Sequence, residues 1–301
     1  MNHSFIMKKR ICAMIVALLY FLASPAGLGQ SMNAGISQIS FIDVGQGDAA
    51  LIQDPNGTDI LIDGGPDSAG QTVVNYVHGH TDGNLEEVIV THADADHSAG
   101  IVTLLEDPTI SIGRIYYNGY AGSTQTWSDL VSLAGSRGIP MEPAQFPAEY
   151  TWGEIKAYIL NPVGGLANPD QNDASVVARI DYQNNEFLFT GDISSEVEAD
   201  VVARQTPVAA DVLKVAHHGS ASSSSAAFLA AVHPVEGVIS VGQNNSYGHP
   251  APETLARLAS AGVEVWRTDQ RGTIVVTSDG TRVVFPDIAG ANLVCGAKLW
   301  F

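Results

Sequence analysis

Short apolar runs rich in β-branched residues, punctuated by glycine, asparagine and proline, open the chain after about residue 30. Residues 37–44, 49–53 and 59–62 are three such runs, joined by the turn residues 45–48 and 55–57, and predict a three-stranded meander. Residues 68–77 carry helical spacing and lead into a polar stretch, 78–80, read as a loop. Val88–Val90 reads as a buried strand, followed by a helix opened by Ser98 as candidate cap and continued through residues 101–105. A strand at 114–117, a helix at 125–136 and a strand at 155–160 come next. Residues 176–180 and 187–190 form a hairpin about Asn184 and Asn185, with a helix at 193–203 behind it. Strands at 211–216 and 237–241 alternate with helices at 226–232 and 253–260, the latter started by Pro250 and Pro252. Residues 263–267, 272–277 and 281–285 are read as strands closing a second sheet. This order suits a four-layer α/β sandwich, two mixed β-sheets face to face with helices on the outer faces.

Composition sharpens the picture. With 301 residues and 45% hydrophobic side chains, the chain can bury a large core. Its formal net charge of −18 is spread rather than blocked, which disfavours non-specific binding to long polyanions. Lys8, Lys9 and Arg10 precede an apolar stretch, 11–22, too short to span a bilayer comfortably, and Ser24 and Ala26 offer small residues for cleavage. Residues 1–26 are therefore expected to be a signal peptide of a periplasmic or extracellular protein, an uncleaved anchor being the alternative. No later stretch is long and apolar enough to cross a membrane. Cys12 falls in the signal, leaving Cys295 as a single thiol, so no disulfide framework is expected. The domain is expected over 36–285, with 286–301 as a tail.

Chemistry concentrates directly after the strand at 88–90. His92, Asp94, Asp96 and His97 place four ligand-type side chains within six residues. Imidazole and carboxylate together suit zinc, manganese or iron, whereas a solvated polar turn needs no such density. Asp192, after the strand at 187–190, is a second carboxylate at a strand end, its plainer reading being a helix cap. His217 and His218 follow another strand, and the serines 222–225 form a loop before a helix, either a phosphate cradle or a capped loop. His78 and His80 are read as solvated rather than as a metal pair.

The run from Thr91 to Gly100 resembles the first metal motif of the metallo-β-lactamase superfamily, His-x-His-x-Asp-His, with Asp94 where the second histidine is usual. That variant resembles the domain found in ComEC-type competence proteins. Further segments agree in order: Asp43 to Asp48, Ile62 to Gly65, Thr190 to Asp192, His217 to Ser220, Asn245 with Tyr247 to Pro250, and Trp266 to Gly272. The resemblance implies that His92, Asp94, Asp96, His97 and Asp192 hold metal, with Asp192 bridging two cations. One of His217 and His218 would complete the second site, His217 being preferred. Asp63 would brace the metal loop, and His249 would contact substrate or donate a proton. Asn172 stands near the place of a usual histidine, so the first site gains oxygen character and manganese becomes plausible beside zinc. His218, Ser220, Asn245 and Tyr247 fall in these segments, and Ser175 and Lys214 beside strands near them, as supporting or substrate residues. The implied activity is that of a hydrolase with two divalent ions and a bridging hydroxide, acting on DNA-type phosphodiesters, among which the acidic charge favours small or short substrates over long nucleic acid. A lactone, ester or β-lactam hydrolase and a non-catalytic binding module are the competing readings.

Overall fold

The computed structural model describes residues 35–167 and 169–286, together with the backbone of 293–294. The expected signal peptide lies outside the described residues, as does most of the expected tail. Strands β1 (Ser37–Phe41), β2 (Ala50–Gln53) and β3 (Asp59–Ile62) form the meander as expected, each antiparallel to the one before. β4 (Asn84–Val90), β5 (Ser111–Tyr117) and β6 (Met141–Pro143) then add in parallel. The second sheet contains β7 (Ala148–Trp152), β8 (Ile155–Asn161), β9 (Val177–Tyr182), β10 (Asn185–Phe189), β11 (Val212–Lys214), β12 (Glu236–Ile239) and β13 (Glu264–Arg267). From β10 to β13 its strands are parallel.

The closing strands correct the sequence reading. β13 edges the second sheet, but β14 (Ile274–Ser278) returns to the first and pairs antiparallel with β1, Ile39 opposite Val276. β15 (Val283–Phe285) follows it, and β16 (Leu293–Val294) extends that edge into the tail. Local alternation could not assign them, because Ile274 and Val276 face the space between the sheets whichever sheet carries them.

That space is the central core. Ile39, Ile52, Ile60 and Ile62 of the first sheet meet Ile180, Phe187, Phe189 and Val238 of the second. The intervening Leu51 and Leu61 point the other way, onto helices α1 (Gly70–His80), α2 (Ala95–Glu106) and α3 (Gln125–Ser136). Leu188 and Leu213 likewise turn onto α4 (Ser195–Ala203), α5 (Ala226–Val232) and α6 (Pro252–Ser260). The period of two therefore places one face of each strand inside and the other under helices, giving the four expected layers. Each fully buried aliphatic or aromatic side chain adds about 1.5–3 kcal/mol to this packing.

Two helix boundaries differ from expectation. α1 runs through residues 78–80, so His78 and His80 are helical, not in a loop. His80 bonds back to the Tyr76 carbonyl and His78 meets Asp107, at the end of the sheet where β4 begins, a strand's length from His92. α2 begins earlier than Ser98, whose hydroxyl donates to the Ala93 carbonyl instead of capping. Among the described residues, no helix is long and apolar enough to cross a membrane.

Candidate metal centre

The parallel strands deliver the site. β3, β4, β10, β11 and β12 end on the same edge, and the residues that follow them carry Asp63, His92 to His97, Asp192, His217 and His218, and Ser240. The polar stretches directly after strands thus converge because the strands are parallel within each sheet.

The metal loop is held from below. Asp63 is buried in the left-handed region, with φ at +58°, an unusual conformation for a non-glycine residue. It accepts from the Thr91 N–H at 2.8 Å and the Thr91 hydroxyl at 2.7 Å. Its Oδ2 also lies 2.8 Å from His97 Nδ1, which fixes that ring and turns Nε2 toward Asp192 Oδ1, 3.4 Å away. The first turn of α2 docks on the same turn: Gly64 N–H donates to the His97 carbonyl and Gly100 N–H to that of Gly65. A Cβ on Gly100 would collide with the Gly64 carbonyl, so this approach requires glycine.

Asp96, His97, Asp192 and His218 offer ligand atoms that all lie within 4.8 Å of one another. His218 Nε2 is 3.4 Å from both Asp96 Oδ2 and Asp192 Oδ2, while its Nδ1 is 2.9 Å from the Ser240 carbonyl. His217 is farther out, its Nε2 3.7 Å from Asp192 Oδ2 and its ring partly exposed. Both histidines are left-handed, with φ of 51° and 52°, so the backbone turns sharply to present two consecutive imidazoles. His92 lies beside the group, its ring centroid 4.1 Å from that of His97 and its Nε2 3.8 Å from Asp94 Oδ2.

The plainer reading of Asp192 fails, since the cap position of α4 belongs to Ser194. Asp94 occupies the cap position of α2, yet its side chain makes no capping bond. Nε2 of His92, His97 and His218 and Oδ1 of Asp192 are all buried without a hydrogen-bond partner. Four orphaned polar atoms facing one another would be costly in a core. They fit a divalent cation, for which imidazole and carboxylate are the proper donors.

Electrostatics divides the donor set: His92 is held neutral, whereas a bound cation would have to displace protons from His97 and His218. Burial, aided by nearby His97, pushes His92 down to about 3, leaving it neutral as a ligand must be. Burial also opposes charge on His97 and His218, but Asp192 with Asp63 and Asp48 holds both well above the ordinary value. Burial likewise opposes charge on Asp192, yet His218 and His97 keep it ionised far down the pH scale.

The remaining expected residues surround this group. Ser175 is buried, accepts from the Asp192 N–H at 3.1 Å and sits 3.3 Å from His92 Nδ1. Asn172 shapes the approach to it, its carbonyl accepting from the Ser175 N–H while its own Oδ1 is buried and unpartnered. Asn245 ties the loop that carries Tyr247 and His249, and the His249 ring stands edge-on to His217 at 5.6 Å. Ser220 is spent within its loop, bonded to Ser222 and accepting from Thr254.

Asp48 is the member that motif reading left as the end of a glycine turn. It is buried, 2.7 Å from Lys214 Nζ and 3.2 Å from His218 Nδ1. Burial opposes its charge, but Lys214 and His218 hold it below the usual carboxylate range. Lys214 is thus committed to a buried pair with Asp48. The only sequence signal was an acid closing a glycine-rich turn.

The serine loop is a capped loop, not an anion cradle. The buried Glu198 of α4 accepts from the N–H groups of Ser224 and Ser225, and Arg257 donates to the carbonyls of Ala221, Ser223 and Ser224. The place of an anion at the start of α5 is taken by the protein's own carboxylate. Glu198→Ala should strand two loop N–H groups and cost about 1–3 kcal/mol for each. A melting temperature lowered by several degrees, with Glu198→Gln in between, is the expected result of thermal denaturation.

Comparison with known proteins agrees with this geometry. Residues 42–243 match the metallo-β-lactamase superfamily, and the chain belongs to that superfamily. It is of the ComEC type. It is 28% identical over 284 residues to the ComE operon protein 3 of Bacillus subtilis (strain 168), covering 88% of this chain and 35% of that protein. To the competence protein ComA of Neisseria gonorrhoeae it is 28% identical over 284 residues, covering 88% and 37%. The chain therefore spans about a third of the length of these relatives. The fold is shared with the metallo-β-lactamase fold protein YhfI from Bacillus subtilis, with a TM-score of 0.50 and 14% identity over 76% of this chain and 96% of that one.

Proposed function

We propose that the chain is a hydrolase with a dinuclear divalent-metal site that acts on phosphodiesters. The observation that carries this is the convergence of the buried, unpartnered Nε2 atoms of His97 and His218 on Asp192, with the equally unpartnered Nε2 of His92 on the ring next to His97. When bound, divalent cations supply Lewis acidity and lower the pKa of water toward neutrality. Asp192 meets this group with both oxygens, Oδ1 toward His97 and Oδ2 toward His218, each at 3.4 Å, and would be shared with a second cation beside it. We assign His97, His218 and Asp96 to one cation, and His92 with Asp94 to the other. This exchanges the roles expected for the histidine pair. His218 has the buried Nε2 and a carbonyl fixing its tautomer, whereas His217 faces outward, toward His249. We assign His249, whose Nδ1 is buried and unpartnered, the proton that a leaving oxygen needs; burial and the nearby His217 and His218 lower its pKa, so it would give that proton up readily.

The relatives named for competence support the phosphodiester class, and the acidic composition favours small or short substrates over long nucleic acid. Export through the N-terminal segment belongs to the same proposal. The test is metal analysis of the purified protein, followed by turnover of bis(p-nitrophenyl) phosphate, p-nitrophenyl acetate and a chromogenic β-lactam. The expected result is cleavage of the phosphodiester, with manganese at least as effective as zinc because Asp94 and Asn172 make one site oxygen-rich. Two tightly bound zinc ions with no rate in manganese would overturn the metal assignment, and cleavage of the lactam or ester alone would overturn the substrate class.

A further inference from the structure

Tyr247 is 69% exposed, more than any other large hydrophobic side chain among the described residues. An aromatic ring left in water gains nothing from folding, yet this one is carefully placed. The Asn245 amide donates to the carbonyls of Gly242 and His249, at 3.0 and 2.6 Å, and its Oδ1 accepts from the N–H groups of Tyr247 and His249, at 3.1 and 3.0 Å. One side chain thus organises the whole loop. The Tyr247 ring stacks on that of His249, centroids 5.7 Å apart and planes 25° from parallel. The His249 ring is in turn 5.6 Å from that of His217, whose Nε2 is 3.7 Å from Asp192. A row of rings leads from solvent to the candidate metal ligands, and its outermost member shows a free face.

We propose that Tyr247 is the platform of a nucleobase subsite, which stacks the base next to a phosphoryl group at the proposed metal centre. This rests on the phosphodiesterase reading and narrows it to nucleotides and short oligonucleotides. Every base has a π-face, so a single exposed ring binds without choosing among bases, and one such stack strengthens binding by about 5- to 150-fold. A tyrosine on a pinned loop loses little conformational freedom on binding. The acidic protein would thereby gain from a neutral base the affinity it cannot obtain from the polyanionic backbone of long nucleic acid.

The test uses the full chain saturated with manganese and compares thymidine 5′-monophosphate with methyl phosphate by calorimetry. The same comparison is made in turnover of the p-nitrophenyl diesters of the two. The unmodified protein should bind the nucleotide about tenfold or more tightly than methyl phosphate. Tyr247→Ala should erase that preference, leave methyl phosphate binding unchanged, and act on KM more than on kcat, while Tyr247→Phe should retain it. Equal binding of the two phosphates by the unmodified protein, or equal weakening of both in Tyr247→Ala, would overturn the subsite. A Tyr247-dependent nucleotide preference without cleavage of either diester would sustain it and contradict the hydrolase reading. Cleavage of both diesters with no preference would do the reverse.

Discussion

Asp192→Ala is expected to remove metal and activity together. The carboxylate faces His97 through one oxygen and His218 through the other, so its loss takes a charged ligand from the cation proposed there and from the second cation it would share. Lewis-acid assistance worth several kcal/mol corresponds to a rate factor of about 10³ or more. Metal content by mass spectrometry and phosphodiester turnover should therefore fall in step. A variant that keeps its metal while losing activity would make Asp192 a substrate or proton-transfer group instead of a ligand. One that keeps both would remove the bridging role altogether.

His249→Ala should separate what Asp192→Ala joins. His249 reaches the group only through His217, ring to ring, and no ligand candidate depends on it for a hydrogen bond. Its replacement is expected to leave metal content intact and lower turnover by about 10²–10⁴, the usual loss for a general acid. The effect should shrink for substrates with a good leaving group, such as p-nitrophenolate, which needs no proton. The histidine pair serves as control. His218→Ala should lose metal as Asp192→Ala does, and His217→Ala should resemble His249→Ala. If His249→Ala loses a metal ion while His218→Ala keeps both, the assignment of the two shells is reversed.

The legible and illegible parts of this site divide by sequence distance. His92 to His97 stood out because four ligand-type side chains lie within six residues after a buried strand, a density that a surface loop does not need. The meander was legible for a similar reason, since Leu51 and Leu61 alternate with residues of the central core. The destination of β14 and β15 was not legible, because a strand apolar toward the centre suits either sheet until its partner is known. The pair of Asp48 with Lys214 was equally hidden. It joins the glycine turn of one sheet to a strand of the other, and neither residue signals the other locally. The choice between His217 and His218 depends on two successive left-handed residues, which no side-chain pattern announces. The anion-cradle reading of the serine loop failed on Glu198, a residue of a different helix that fills the position from inside.

The most direct measurement is the anomalous diffraction of crystals grown with manganese, recorded on both sides of the metal's absorption edge. The account predicts two peaks flanking the Asp192 carboxylate, one against His97 and His218 and the other against His92. A lone peak at a surface acid, or peaks that leave Asp192 and the three buried Nε2 atoms without a ligand, would contradict it.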